Sequence, residues 1–215
     1  MNRRIPLHAA LACLGLALAT GCSPQASDGA TAGPAADAST DAAPETDPAL
    51  ERARAAAMAF SGQLRERLQG TMAEGGPLAA VEVCHADAPR IAEAVMAEHG
   101  LRLGRVAAPG RNRNPAQAAD DWTLATLETF QQAVDAGAAA GEQVAVLRED
   151  LPEGVALRMM RGIATEPGCL ACHGSDVAPE VREAIARHYP DDAATGFAVG
   201  DLRGALWVEV PAATH

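Results

Sequence analysis

Apolar residues recur at three- and four-residue steps through the first part of the folded chain, which is the spacing of one buried helix face. The first such run predicts a helix over residues 47–74, with Asp at its N-cap, Pro in its first turn and a Gly-Gly-Pro sequence after its end. Shorter helices are predicted over residues 78–85 and 87–100, the second of which a glycine ends. A further long helix begins after Asp120 or Asp121, either of which can cap it.

Extended segments dominate the second half of the chain. Residues 101–108 read as extended, 143–147 and 155–163 as the two strands of a hairpin, and 205–210 as a last strand. A short helix over residues 179–188 lies between the hairpin and the last strand. Helices come first and most strands later, which predicts an α+β fold with an antiparallel sheet flanked by helices.

The N-terminal residues have the composition of an export signal rather than of a folded domain. Residues 1–21 combine a basic start, a short apolar run and small residues before Cys22, which predicts a secretory signal peptide. Small residues followed by cysteine resemble the lipobox of bacterial lipoproteins, so Cys22 is expected to carry a lipid that anchors the protein to a membrane. Because Ser23 rather than Asp follows, the expected location is the periplasmic side of the outer membrane. Residues 22–46 are then the lipidated cysteine and a flexible linker, and residues 47–215 form one domain.

The net charge of the chain indicates which classes of molecule are suitable binding partners. The formal net charge is -11, and all 17 basic residues are arginine. An acidic surface disfavours nucleic acid as a partner, whereas it is compatible with a redox or signalling protein that the sequence does not identify.

The strongest chemical signal is Cys169-Leu170-Ala171-Cys172-His173, the C-x-x-C-H signature of c-type haem attachment. The two thiols can add to the two vinyl groups of one porphyrin, which holds His173 beneath the ring as the proximal iron ligand. A thioredoxin-like pair would lie in a βαβ pattern, and a zinc site would need a second pair of ligands, and neither occurs in the sequence. The motif therefore predicts one covalent haem c.

Counting the cysteines leaves one thiol, Cys84, without an assigned role. Of five cysteines, Cys13 leaves with the signal peptide, Cys22 takes the lipid, and Cys169 and Cys172 take the haem. Cys84 is then either a small buried apolar residue or a thiolate ligand to the iron opposite the proximal histidine.

Several segments together resemble the single-haem, PAS-like c-type haem family, in order residues 83–89, 111–115, 169–174, 189–197 and 200–205. The resemblance implies a PAS-like α+β fold with one covalently bound haem. It also implies His173 as the proximal ligand and Cys84 as the distal ligand. One departure is the loop before Arg113, which lacks a hydroxyl residue that the family usually has there.

Other residues remain open for these roles. His85 is the rival distal ligand, and neighbours on a helix point about 100° apart, so only one of Cys84 and His85 can face the iron. Less favoured distal ligands are the methionines, which usually fill cores: Met96, Met159 and Met160. Arg111 and Arg113 are candidates for contacts to the haem propionates, although a solvated loop is an equal alternative.

Two classes of function compete. The first is a redox or small-ligand sensor module, or a low-potential electron-transfer protein. The second is a haem enzyme such as a peroxidase, which needs an open position at the iron. Two protein ligands close that position, which favours the first class and argues against an enzyme.

Overall fold

The structure is a computed structural model, and it describes residues 47–213. The predicted signal peptide and the whole predicted linker, with Cys22, lie outside the described residues. None of the helices within residues 47–213 combines the length and apolar character needed to cross a membrane.

The N-terminal helical layer follows the predicted pattern closely. Helix α1 (Pro48–Glu82) begins at Asp47, whose carboxylate accepts hydrogen bonds from two backbone N–H groups of the first turn. The helix is kinked at Gly76, where φ is 68° and ψ is -167°, so it consists of two helical pieces that meet where the sequence predicts a break. Glycine adopts this left-handed φ without the steric cost that a Cβ would bring.

A π turn, Val83–Asp87, connects α1 to α2 (Ala88–His99). Helix α2 ends at Gly100, which adopts the left-handed conformation with φ of 59°, as predicted for a helix-terminating glycine. The π turn is the local feature that the sequence pattern does not predict, and π turns are frequent at functional sites.

Four strands form one antiparallel sheet in the order β1-β4-β3-β2, with β1 (Arg102–Ala107), β2 (Val144–Leu147), β3 (Val155–Ala164) and β4 (Leu202–Pro211). Strands β2 and β3 form the predicted hairpin. Strand β4 begins three residues earlier than predicted, so that it pairs with both β1 and β3 along its length. The predicted PAS-like α+β fold is therefore confirmed.

Helices cover both faces of this sheet. On one face, α1 and α2 pack Phe60 and Val95 against a set of strand residues that includes Met159. On the other face, α3 (Asp121–Asp135) packs Leu127 and Phe130 against a set that includes Met160. Met159 and Met160 are neighbours on β3 and point to opposite faces, so both are buried in core packing. Met96 is half-buried and packs against the first of these clusters.

A third, smaller apolar cluster lies beside the C-terminal end of α1. It packs α5 (Pro179–His188) through Val181 and Ile185 against Val81 of α1. Cys172 and Tyr189 lie at its edge, partly buried. This cluster brings the end of α1, and with it the π turn, next to the segment that carries the C-x-x-C-H motif.

Candidate functional site

The C-x-x-C-H motif follows β3 directly and forms a single helical turn. A short 3-10 turn ends at Cys169 and continues into α4 (Leu170–His173), which Gly174 terminates. Three-residue spacing on a helical turn places the two cysteines on neighbouring positions of the same side. Both are free, half-buried thiols. A Cβ on Gly174 would lie 2.7 Å from the carbonyl oxygen of Leu170, so this tight end of the turn requires glycine.

The ring of His173 is held by a backbone group. Its Nδ1 lies 2.8 Å from the carbonyl oxygen of Ala194. A carbonyl only accepts, so Nδ1 carries the hydrogen and donates, which leaves the lone pair of Nε2 free. Phe197 contacts the ring edge-on, with 6.4 Å between ring centroids. Hydrogen bonding of one ring nitrogen is the usual way in which proteins orient a metal-binding histidine.

The surroundings of His173 also keep the ring neutral. Burial, together with the positive charges of Arg203 and Arg113, lowers the pKa of His173 to about 3. The imidazole is therefore uncharged at neutral pH, which is the state that coordinates a metal.

Residues 189–197, called the strap below, run along the motif and hold its backbone. The N–H of Gly196 donates to the carbonyl oxygen of Gly174 at 2.9 Å, and the N–H of Phe197 donates to that of His173 at 2.9 Å. The strap also supplies the Ala194 carbonyl. The backbone of the motif and the ring of its histidine are thus positioned by one segment that follows α5.

Arg113 connects a distant loop to both the motif and the strap. Its guanidinium donates to both carboxylate oxygens of Asp192 at 3.0 Å and to the carbonyl oxygen of Cys172 at 2.7 Å. The two side chains of this ion pair are only 11% and 13% exposed. Asp192 in turn accepts from the N–H of Ala194 at 2.9 Å. A hydrogen-bonded chain therefore runs from Arg113 through Asp192 and Ala194 to His173.

Arg111 contacts the strap as well. Its guanidinium lies 3.6 Å from the centre of the Phe197 ring, and it donates a hydrogen bond to the carbonyl oxygen of Thr195. The structure thus places Arg113 against the motif and Arg111 against the strap that holds the motif. Their contact with propionates stays a prediction.

Cys84 lies in the π turn and is half-buried. Burial is the main cause that raises the pKa of Cys172, Arg113 opposes it, and the charge that Cys84 carries as a thiolate adds to the increase. The same charge adds to the raised pKa of Tyr189, of which burial is again the main cause. Cys84 is therefore close enough to the motif and to the strap to act on them electrostatically.

His85 has different surroundings. It is exposed, and its ring stacks on that of His188 with 4.0 Å between centroids and 27° between planes. Tyr189 contacts the same ring edge-on, with 5.7 Å between centroids. The structure thus places His85 against the C-terminal end of α5.

Two further arginines near the motif are absent from the sequence-based site. Arg105 on β1 lies over the Phe60 ring at 6.0 Å, and Arg203 on β4 has a buried Nε without a hydrogen-bond partner within the described part of the chain. Burial lowers the pKa of Arg105, the charge of Cys84 opposes that decrease, and Arg203 adds to it. In the sequence, Arg105 lies in the extended segment 101–108 and Arg203 in the resemblance segment 200–205, outside the strand predicted over 205–210, and neither position indicated a role at the haem.

Fold and site together define a PAS-like α+β domain with a C-x-x-C-H turn beside a third thiol. The chain belongs to the Tll0287-like family, whose model matches residues 38–211. The family membership confirms the resemblance inferred from the sequence segments. Among solved structures, the chain is similar to the cyanobacterial heme-protein Tll0287, with 27% identity and a TM-score of 0.57 over 79% of this chain and 99% of that chain. None of the curated proteins matches the chain.

Proposed function

We propose that the chain binds one haem c through thioether bonds to Cys169 and Cys172, with His173 and Cys84 as the axial iron ligands. Membership of the Tll0287-like family and similarity to a heme-protein support haem as the ligand. The C-x-x-C-H turn supports covalent attachment, because it supplies two neighbouring free thiols and a histidine in the required order.

The observation that carries this proposal is the hydrogen bond between Nδ1 of His173 and the Ala194 carbonyl oxygen, 2.8 Å long. It selects the tautomer with a free Nε2 and holds the ring in one orientation. The strap and Arg113 hold the backbone of the same turn. A neutral, oriented and half-buried imidazole beside two thiols fits an iron porphyrin.

Cys84 is proposed as the distal ligand on two grounds. It is half-buried and close enough to Cys172 for its thiolate form to raise the pKa of that residue, whereas the neighbouring His85 is exposed and stacked on His188. The haem, when bound, supplies one-electron redox chemistry. A thiolate favours ferric over ferrous iron, so a His/Cys pair gives a low reduction potential.

Two protein ligands favour a redox or small-ligand sensor module, or a low-potential electron-transfer protein, over a peroxidase. A peroxidase needs one axial position open to its substrate, and Cys84 would fill it.

We further propose that the protein is exported and anchored through a lipid on Cys22 at the periplasmic side of the outer membrane. The signal-like residues 1–21 and the lipobox-like sequence support this location.

Covalent attachment is tested on protein purified from a host with a haem-attachment system. The haem should stay with the denatured polypeptide through acid-organic extraction, and the intact mass should increase by one haem. Replacing both Cys169 and Cys172 with Ala should abolish both signals, whereas Cys13→Ser should not. Haem that extracts freely from the unaltered protein would contradict covalent attachment.

A further inference from the structure

Among residues 47–213, Arg105 and Arg203 are two cations beside the candidate haem site that form no ion pair. Ten ion pairs occur among residues 47–213, and neither of these arginines takes part in one. The protein as a whole has 28 acidic and 17 basic residues, so carboxylates are abundant elsewhere. Among the partly buried arginines of residues 47–213, Arg105 and Arg203 are the two whose guanidinium groups have neither an ion pair nor a side-chain hydrogen bond, whereas Arg111 at least donates to the Thr195 carbonyl.

The two arginines lie close together because their strands are paired. Arg105 is opposite Leu206 in the β1–β4 register, and the carbonyl oxygen of Arg203 accepts from the N–H of Ala108 at 3.1 Å. Gly204 allows this close pairing, since φ there is 150° and a Cβ would lie 2.1 Å from the carbonyl oxygen of Val106. The charges of the two side chains repel each other, which contributes to the lowered pKa of Arg105.

Their position relates them to the candidate haem site. The charges of both arginines lower the pKa of His173, after the larger effect of burial. A thiolate at Cys84 raises the pKa of Arg105, and the charge of Arg203 opposes the increase that burial causes in the pKa of Cys172. The described ionisable groups that act on Arg105 are Cys84, Arg203 and Tyr189, and none of them is a carboxylate.

An unpaired charge in a partly buried site is costly, and a partner of opposite charge removes most of that cost. Haem carries two propionate carboxylates, and the planar fork of a guanidinium group matches a carboxylate in geometry. The loop arginines are less available, because Arg113 already contacts Asp192 and the Cys172 carbonyl, and Arg111 contacts Phe197 and the Thr195 carbonyl.

We propose that Arg105 and Arg203 bind the two propionate carboxylates of the haem, one strand contributing each arginine. This inference rests on the proposed function, because it requires a haem in this site. It differs from the sequence-based expectation, which named Arg111 and Arg113 as candidates for the propionate contacts. It also explains why a buried Nε of Arg203 has no partner within the described protein residues.

Resonance Raman spectroscopy of the haem-loaded protein tests the proposal. The band of propionate bending reports hydrogen bonding to the carboxylates, and the iron–sulfur band reports the bond to Cys84. Arg105→Gln and Arg203→Gln should each shift the propionate band and leave the iron–sulfur band in place. The matched control is Arg161→Gln, an exposed arginine on β3, which should change neither band.

Other outcomes overturn the proposal. A shift of the iron–sulfur band with an unchanged propionate band would show that the arginines act on the thiolate instead. An unchanged propionate band in either Gln variant would also contradict it. If the Gln variants do not accumulate, Arg105→Lys and Arg203→Lys retain the charge but lose the fork, and the propionate band must still shift. Unaltered protein without covalent haem would refute the proposed function instead.

Discussion

Arg113 donates a hydrogen bond to the carbonyl oxygen of Cys172, with 2.7 Å between Nη2 and O. The two residues are 59 positions apart in the chain, so only folding brings them together. The same guanidinium holds Asp192, which organises the strap. One arginine therefore couples the loop after β1 to both segments that position His173.

The Arg113–Asp192 pair should be important for stability. Asp192→Asn leaves a mostly buried guanidinium without its counterion, which should lower the free energy of unfolding by about 3 kcal/mol. Chemical denaturation of the haem-loaded protein, followed by circular dichroism, measures this difference.

The matched control for this ion pair is Glu183→Gln, which breaks an exposed i,i+4 pair with Arg187. That loss should be about 0.5 kcal/mol or less, because solvent screens exposed pairs. Equal effects of the two substitutions would show that the Asp192 pair does not hold the site together.

Cys84→Ser tests the distal ligand. Removing the thiolate should give high-spin ferric haem and raise the reduction potential by at least about 60 mV, which is a tenfold preference of the thiolate for ferric iron in a one-electron couple. Absorption spectroscopy and a spectroelectrochemical titration measure the two effects.

The neighbouring substitution His85→Ala is the control for the distal ligand. Because His85 is exposed and stacks on His188, both the spectrum and the potential should be those of the unaltered protein. If His85→Ala alters both and Cys84→Ser alters neither, His85 is the ligand and the proposed Cys84 ligation is wrong.

Asp47 should make the stability dependent on pH. A hydrogen bond from Arg148 lowers the pKa of Asp47 below its usual 3.8. The stabilising contribution of the carboxylate is therefore fully present above pH 3.8 and is lost as the pH falls through the pKa of the folded state.

Thermal unfolding over a pH series measures this contribution. Asp47→Asn should unfold at a lower temperature than the unaltered protein near neutral pH, and the difference should shrink below pH 3.8. Arg148→Gln should reproduce the loss at neutral pH. A difference that stays constant across the series would exclude the Asp47 carboxylate as its source.

Cys22→Ser tests export and anchoring. Without the thiol that accepts the lipid, the protein should move from the membrane fraction to a soluble periplasmic fraction. Cys13→Ser changes a cysteine within the same signal segment and should leave the protein in the membrane fraction. Equal membrane association of both variants would refute the lipid anchor.

Much of this molecule could be predicted from local patterns. The cap at Asp47, the helix end at Gly100 and the β2–β3 hairpin each depend on residues that are close in sequence, so their positions follow from spacing and from the conformational preferences of Asp, Gly and Pro. The C-x-x-C-H turn is likewise local, because one helical turn contains all of its side chains.

Tertiary structure alone decided how the site is assembled. Strand order places β4 between β1 and β3, and this brings Arg105 beside Arg203, nearly a hundred residues later. The Ala194 carbonyl that orients His173 is a backbone group, and every residue type carries one, so no sequence pattern could mark it. Composition and spacing determined which chemical groups this protein has, whereas long-range packing determined which of them face one another, because contacts between distant segments depend on the path of the whole chain.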